Sequence, residues 1–153
     1  MNRVRPMIAE ILSQAEKSDI RISIENHADF PTQTLYDFIE EFDHPLLGMC
    51  FDFANCLRVG DSPIDFLMEN DLARISMIHV KDVKKLPEDI SPVGWWPTVE
   101  WGTGDVGVRE CLSYLREQGI SSLLLVEISN LYHGLDEIST VNHSISFLES
   151  AMR

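Results

Sequence analysis

Residues 46–55 read LLGMCFDFAN, a short apolar run that leads into an aspartate. An apolar run of this length without alternation is typical of a strand buried on both faces, as in a parallel sheet. We therefore predict a buried strand from Leu46 to Phe51. Asp52 follows directly, at the carboxyl end of this strand, where α/β proteins build their functional sites.

Three further apolar runs on either side of this segment indicate a repeating order of elements. They are Ile20 to Ile24, Ile75 to Val80 and Leu123 to Val126. Segments with apolar residues at helical spacing, such as Ile138, Val141 and Ile145, precede, separate and follow these strands. Alternating helices and strands predict an α/β fold with parallel strands and right-handed crossovers. Since no linker divides the chain, residues 1–153 are expected to form a single domain.

Each predicted strand ends at a residue that can bind a metal ion or transfer a proton. These residues are Glu25, Asp52, His79 and Glu127. Because parallel strands place their carboxyl ends on one rim, we expect the four side chains to converge. A single polar residue at a strand end is more often structural, but all four here have metal-ligand chemistry. Oxygen ligands dominate the set, which favours Mn²⁺ or Mg²⁺ over Co²⁺ or Zn²⁺.

The motifs around these residues point to a family. In chain order they are IENH (24–27), FDFAN (51–55), HVKD (79–82), a glycine-rich turn (102–104) and VEI (126–128). Together they resemble the sugar phosphate isomerase/epimerase family, the xylose-isomerase-like TIM barrels. The resemblance implies a partial (β/α)8 TIM barrel, corresponding to about the last four βα units. A closed barrel takes about 250 residues, so this chain would be a C-terminal half.

The resemblance also implies a chemistry for the four strand-end residues. Glu25, Asp52, His79 and Glu127 would be the metal ligands, and Glu25 and Glu127 would also be the catalytic base and acid. The implied activity is a divalent-metal-dependent isomerase or epimerase of a small sugar or hydroxy-carbonyl compound, acting through a metal-stabilised enediolate. A dehydratase of the same family is the alternative enzyme. A non-catalytic half-barrel that binds metal or sugar, or an inactive fragment, is the alternative outside the enzymes.

Four nearby polar residues are weaker candidates for contact with a substrate. They are His27, Asn55, Lys81 and Asp82. Each has a structural alternative. The histidine is equally well explained as an exposed loop residue, and the asparagine as a residue that bonds within its own loop. The lysine and the aspartate are neighbours that could pair with each other.

A long connection rich in Pro, Gly and Trp joins the third strand to the next helix. Trp95, Trp96 and Trp101 either form the wall of a sugar-sized pocket or pack this connection onto the rim. Its last part, GTGDVG at residues 102–107, matches the dinucleotide fingerprint GxGxxG but does not follow a buried strand. We therefore interpret it as a tight turn, with Asp105 capping the following helix.

Composition excludes several classes of partner. The chain has 12 Lys and Arg against 25 Asp and Glu, a net charge of −13, which repels nucleic acid and anionic membranes. Three cysteines without CxxC spacing make a disulfide framework improbable and favour a reducing compartment. The first residues lack a signal-peptide pattern, and no apolar stretch is long enough to span a bilayer. We expect a cytoplasmic protein whose partner is a small sugar-like molecule.

Assembly follows from the number of predicted strands. Four parallel strands cannot close a barrel, so both end strands would present unpaired backbone edges. A homodimer or a complementary half-barrel chain would cover these edges. A well-behaved monomer would instead favour an open-sheet fold.

Overall fold

The computed structural model of the chain describes residues 3–87 and 96–153, so Trp95 lies outside the described residues. Four strands are present: β1 (Ile22–Glu25), β2 (Leu47–Asp52), β3 (Ile75–Val80) and β4 (Leu123–Val126). They form one parallel sheet in the order β1-β2-β3-β4. The α/β class is confirmed, and each predicted strand is found within two residues of its predicted bounds.

In the described ranges, six α-helices and one short 3-10 turn (Leu72–Arg74) connect and flank the strands. The helices are α1 (Arg5–Ser18), α2 (Thr32–Glu40), α3 (Phe53–Arg58), α4 (Pro63–Glu69), α5 (Val108–Glu117) and α6 (Glu137–Ala151). Proline in the first turn of α1 and α4 suits a position whose N–H needs no partner in the helix. Among the described residues, no helix has the length and apolar character needed to cross a bilayer.

The core lies between the helices and one face of the sheet. In the two central strands β2 and β3, the side chains of Phe51 and Ile78 are fully buried. The ring of Phe51 lies 4.7 Å from that of Phe66 on α4 and 5.4 Å from that of Phe53 on α3. Aromatic and aliphatic packing of this kind fixes the central strands, and therefore fixes the residues at their carboxyl ends.

The opposite face of the sheet is partly exposed at β4, whereas β2 is buried on both faces. In β4, Leu124 and Val126 pack against the core, whereas Leu123 and Leu125 point the other way and are 54% and 36% exposed. We call this second side of the sheet the open face. Exposed apolar side chains on a sheet face normally mark a surface that another element covers.

The glycine-rich turn before α5 differs from the prediction in one respect. Asp105 does not cap α5, because the helix begins only after Gly107, which adopts a left-handed conformation with φ of 76°. The Asp105 carboxylate instead accepts hydrogen bonds from the Lys84 ammonium (2.8 Å) and the Lys85 backbone N–H (2.7 Å). The predicted cap is therefore wrong, and Asp105 holds the two ends of the long connection together.

Candidate metal centre

The four strand-end residues converge as predicted. One side-chain ligand atom from each of them lies within 4.8 Å of the others; the residues are Glu25, Asp52, His79 and Glu127. The first two are the last residues of β1 and β2, His79 is the last but one residue of β3, and Glu127 follows β4. The Glu127 N–H still bonds to the Val80 carbonyl at 3.0 Å, which extends the β3–β4 ladder to this position.

The contacts of His79 fit a cation site. Its Nδ1 lies 2.9 Å from Glu127 Oε2 and 3.4 Å from Glu25 Oε1. The closer contact lacks hydrogen-bond geometry, so within the described residues both His79 Nδ1 and Glu127 Oε2 are buried without a hydrogen-bond partner. Buried polar atoms are nearly always bonded. Two unbonded ones that face each other beside a carboxylate form the donor arrangement that surrounds a metal ion.

Lys81 lies inside the cluster and is 6% exposed. Its ammonium is 3.2 Å from Asp52 Oδ2 and 2.5 Å from Glu127 Oε1. The alternative that Lys81 pairs with Asp82 is therefore wrong, and its contact with a substrate stays a prediction. Three ionised carboxylates and one ammonium leave the cluster with a net charge of −2, which one divalent cation would balance.

Burial and charge shift the proton affinities of the two carboxylates that contact Lys81. Burial raises the pKa of Asp52 to about 6, against the opposing effects of the Lys81 ammonium and the Asn55 N–H. Burial acts in the same direction on Glu127, but the pKa of Glu127 is lowered overall because Lys81 bonds directly to its carboxylate. The two carboxylates therefore differ in character, and Asp52 carries the larger cost of burial without a cation.

Asn55 contacts two of the candidate ligands. Its backbone N–H donates to Asp52 Oδ1 at 2.8 Å, which caps α3, and its side-chain amide donates to Glu25 Oε1 at 3.3 Å. The structure thus brings Asn55 into the cluster, where it orients two carboxylates. Its predicted contact with a substrate stays a prediction.

Asn26 is a residue of the site that the sequence reasoning missed. It is buried, and its side-chain amide bonds to both backbone groups of Asp52. In the sequence, Asn26 stands out by its position directly after Glu25. That position does not indicate that the Asn26 side chain reaches the neighbouring strand.

Asp82 is buried inside the glycine-rich turn. Its Oδ2 accepts the N–H groups of Gly102 (2.8 Å) and Gly104 (3.0 Å), and its Oδ1 accepts that of Val106 (3.3 Å). Burial raises the pKa of the carboxyl, although these backbone bonds oppose the shift. A Cβ on Gly104 would lie 2.1 Å from Asp82 Oδ1, so only glycine fits there. The turn therefore encloses a carboxylate of the chain itself, and a substrate contact for Asp82 stays a prediction.

The remaining predicted residues lie away from the cluster. His27 is exposed, with Nδ1 3.6 Å from Asp29 Oδ2, and its contact with a substrate also stays a prediction. Trp101 is buried and packs edge-to-face on Phe147 of α6 at 6.3 Å. For Trp101 the structure therefore agrees with the alternative in which the connection packs onto the fold.

The cluster of candidate ligands is open to solvent. The side chains of Glu25 and Glu127 are 37% and 33% exposed. A cavity of about 420 Å³ lies at the opposite end of the strands, next to Ser76 and Ser122, and contains no member of the cluster. The candidate centre is therefore reached directly from solvent, and a small cavity beside it is lined by Asn55, Lys81 and Trp96.

These residues form an acidic and histidine cluster at the carboxyl ends of parallel strands, and comparison with known proteins identifies the fold. The chain belongs to the xylose isomerase-like TIM barrel family, whose model matches residues 1–151. The predicted resemblance is therefore confirmed. A solved xylose isomerase domain protein from Planctomyces limnophilus superposes with a TM-score of 0.78 at 26% identity, over 98% of this chain and 51% of that one. This match confirms the partial TIM barrel.

Two curated relatives match over shorter stretches of the chain. The uncharacterized protein YihM of Escherichia coli (strain K12) is 28% identical over 108 residues, which is 71% of this chain and 32% of the relative. The 3-oxo-isoapionate decarboxylase of Pectobacterium atrosepticum is 26% identical over 72 residues, 47% of this chain and 26% of the relative. The chain thus spans about a third or less of these relatives, and half of the solved one.

Other solved structures, at 13–20% identity, share the fold with TM-scores of 0.66 to 0.74. They include an L-ribulose 3-epimerase, a probable 3-DHS dehydratase and an IolI protein that binds a zinc atom. The structural neighbours therefore include a sugar epimerase and a dehydratase.

Proposed function

We propose that the chain is the metal-binding half of an isomerase or epimerase that acts on a small sugar or hydroxy-carbonyl compound. The observation that carries this proposal is the convergence of Glu25, Asp52, His79 and Glu127, with two buried ligand atoms left unbonded. Family membership and the epimerase among the structural neighbours support it. Because the relatives are longer, the active form proposed here is a barrel completed by further strands, which a second copy supplies when the chain stands alone.

The four converging residues would hold one divalent cation. Their three carboxylates favour Mn²⁺ or Mg²⁺, and the zinc atom in the IolI structure supports Zn²⁺ as an alternative. The cation would supply Lewis-acid polarisation of a substrate carbonyl.

Glu25 and Glu127 are the proposed proton-transfer groups. They follow the two outer strands of the sheet, so their carboxylates approach a substrate from two sides. Among the described residues, both oxygens of Glu127 contact Lys81 or His79, whereas the contacts of Glu25 involve Oε1. Glu25 is therefore the better base, because its Oε2 is available to accept a proton from carbon. Glu127 would return a proton to the neighbouring carbon, and the Lys81 ammonium that bonds to its Oε1 would supply that proton. The proton on Glu25 and the one lost by Lys81 would then exchange with solvent.

A dehydratase is the second candidate. Its support is the probable 3-DHS dehydratase among the structural neighbours. Removal of a proton from the carbon beside a carbonyl would begin both reactions, so the same Glu25 would serve, and the product separates them.

Proton exchange tests the proposed reaction. With Mn²⁺ and a panel of pentuloses and hexuloses in deuterated water, the chain should replace the proton beside the ketose carbonyl with deuterium, because Glu25 would exchange it with solvent. NMR of the recovered sugar measures this loss of signal. If the chain binds Mn²⁺ but exchanges the proton of no sugar in the panel, the enzyme proposal is wrong and the chain is a non-catalytic metal-binding half-barrel.

We also propose that the 153-residue domain requires a second wall of about four βα units. Its support is the free edges of β1 and β4, the exposed Leu123 and Leu125 of the open face, and a solved relative of about twice the length. Without these units, two copies should associate through the same edges and face.

Sedimentation velocity tests this assembly proposal. The chain should sediment as a dimer or larger species, because the open face and strand edges are uncovered. Leu125→Lys should shift it toward monomer, since the charge lies on the open face. Met68→Lys, a control at an exposed apolar residue of α4, should not. A monomeric wild-type chain would contradict the proposal.

A further inference from the structure

We infer that Asn26 is a positioning residue that fixes the backbone of the candidate ligand Asp52, an inference that rests on the proposed metal centre. Asn26 is 2% exposed. Its side-chain Nδ2 donates to the Asp52 carbonyl at 3.0 Å, and its Oδ1 accepts the Asp52 N–H at 2.7 Å. Its own backbone N–H donates to the Cys50 carbonyl at 3.2 Å.

The hydrogen bonds of Asn26 take the place of backbone pairing that the sheet lacks at Asp52. Backbone pairing between β1 and β2 ends with Glu25 opposite Cys50, so Asp52 has no partner in β1. The primary amide of asparagine presents an N–H donor and its carbonyl acceptor on the same side, and so does the extended backbone of Asp52 with its own N–H and carbonyl. The Asn26 side chain therefore pairs with the Asp52 peptide groups as the next residue of a strand would.

The pairing joins two candidate ligands. Asn26 directly follows Glu25 in the chain, so the bond to Asp52 sets the position of one ligand backbone relative to the other. The Asp52 carboxylate is itself held by Asn55 and Lys81. Metal ligands must be held within about 0.5 Å of their working geometry, and the Asn26 amide supplies the backbone part of that constraint.

Asn26 acts through Asp52 and not on a cation or substrate. Both polar atoms of its side chain bond to the Asp52 backbone, and it is buried. An aliphatic residue there would leave the Asp52 N–H and carbonyl without these partners, and aspartate would place an acceptor against the carbonyl.

Metal titration tests the inference. By calorimetry with MnCl₂, Asn26→Ala should bind Mn²⁺ about 10–100-fold more weakly than wild type, the usual loss for a residue that orients a ligand. Asn26→Gln keeps the amide but misplaces it, and should also bind more weakly. The matched control is Asn70→Ala, which removes an amide bonded to the Phe66 carbonyl at 2.9 Å at the other end of the strands. It should change the affinity less than twofold.

A second readout needs no metal. Hydrogen exchange of the Asp52 amide, followed by NMR in the metal-free protein, should be at least about tenfold faster in Asn26→Ala, in line with the loss of its acceptor. Unchanged Mn²⁺ affinity in both Asn26 variants, with wild type binding the ion, would overturn this inference alone. A wild-type chain that binds no Mn²⁺ would overturn the proposed metal centre and this inference with it.

Discussion

Replacement of Glu127 by glutamine should lower the affinity of the chain for Mn²⁺ by at least about 100-fold, or about 2.7 kcal/mol. The variant removes one of the converging carboxylates and leaves the Lys81 ammonium with Asp52 as its one remaining carboxylate partner. It also removes a negative charge from the centre, so the cluster no longer balances a divalent cation. Calorimetric titration with MnCl₂ on folded protein measures the loss.

The matched control for this variant is Glu117→Gln. It makes the same change in net charge on an exposed side chain of α5, next to Arg116, and should leave Mn²⁺ binding unchanged. Equal affinities for wild type and Glu127→Gln would contradict the assignment of Glu127 as a ligand. Equal losses of Mn²⁺ affinity in the two variants would show that the loss comes from the overall charge of the protein and not from a missing ligand.

Asp82→Ala should destabilise the fold by about 3 kcal/mol or more. The buried carboxylate accepts three backbone N–H groups of the glycine-rich turn. Each buried group left without an acceptor costs about 1–3 kcal/mol, and water that enters the opened turn offsets part of that cost. Urea unfolding measures the free energy, and limited proteolysis should show earlier cleavage in residues 102–107.

Asp105→Ala is the control in the same turn. Its carboxylate is partly exposed and its main partner is the exposed Lys84 ammonium, so the loss should stay near or below about 1 kcal/mol. If Asp82→Ala instead keeps wild-type stability but abolishes deuterium exchange of a ketose, Asp82 is a substrate contact, as the sequence pattern suggested.

The strands and the four converging residues could be predicted from the sequence because both depend on local patterns. Aliphatic runs identify strands whose two faces are buried, and parallel pairing then determines which ends meet. Glu25, Asp52, His79 and Glu127 follow from that topology without any knowledge of side-chain contacts.

The features that were missed depend on contacts between distant residues. Helix α3 has six residues, too few to show a helical period, and begins through the Asp52 carboxylate. Lys81 pairs across strands with Asp52 and Glu127 and not with its sequence neighbour. The Asn26 amide bonds to a residue 26 positions away, which no local pattern indicates.

The cap predicted at Asp105 failed for a related reason. Aspartate before a helix normally accepts an N–H of the first turn, but here two lysine residues of the same connection compete for the carboxylate. Gly107, in a left-handed conformation, then sets where the helix begins. The preference of aspartate for helix caps does not indicate whether its carboxylate bonds to the helix or to the lysine residues.

The central claim is that four side chains bind one divalent cation at the carboxyl ends of the strands. The most direct test is an anomalous difference map from crystals of the chain soaked in MnCl₂. One peak is expected at about 2.1 Å from ligand atoms of Glu25, Asp52, His79 and Glu127. No peak at that position, or ions found only at exposed carboxylates elsewhere, would contradict it.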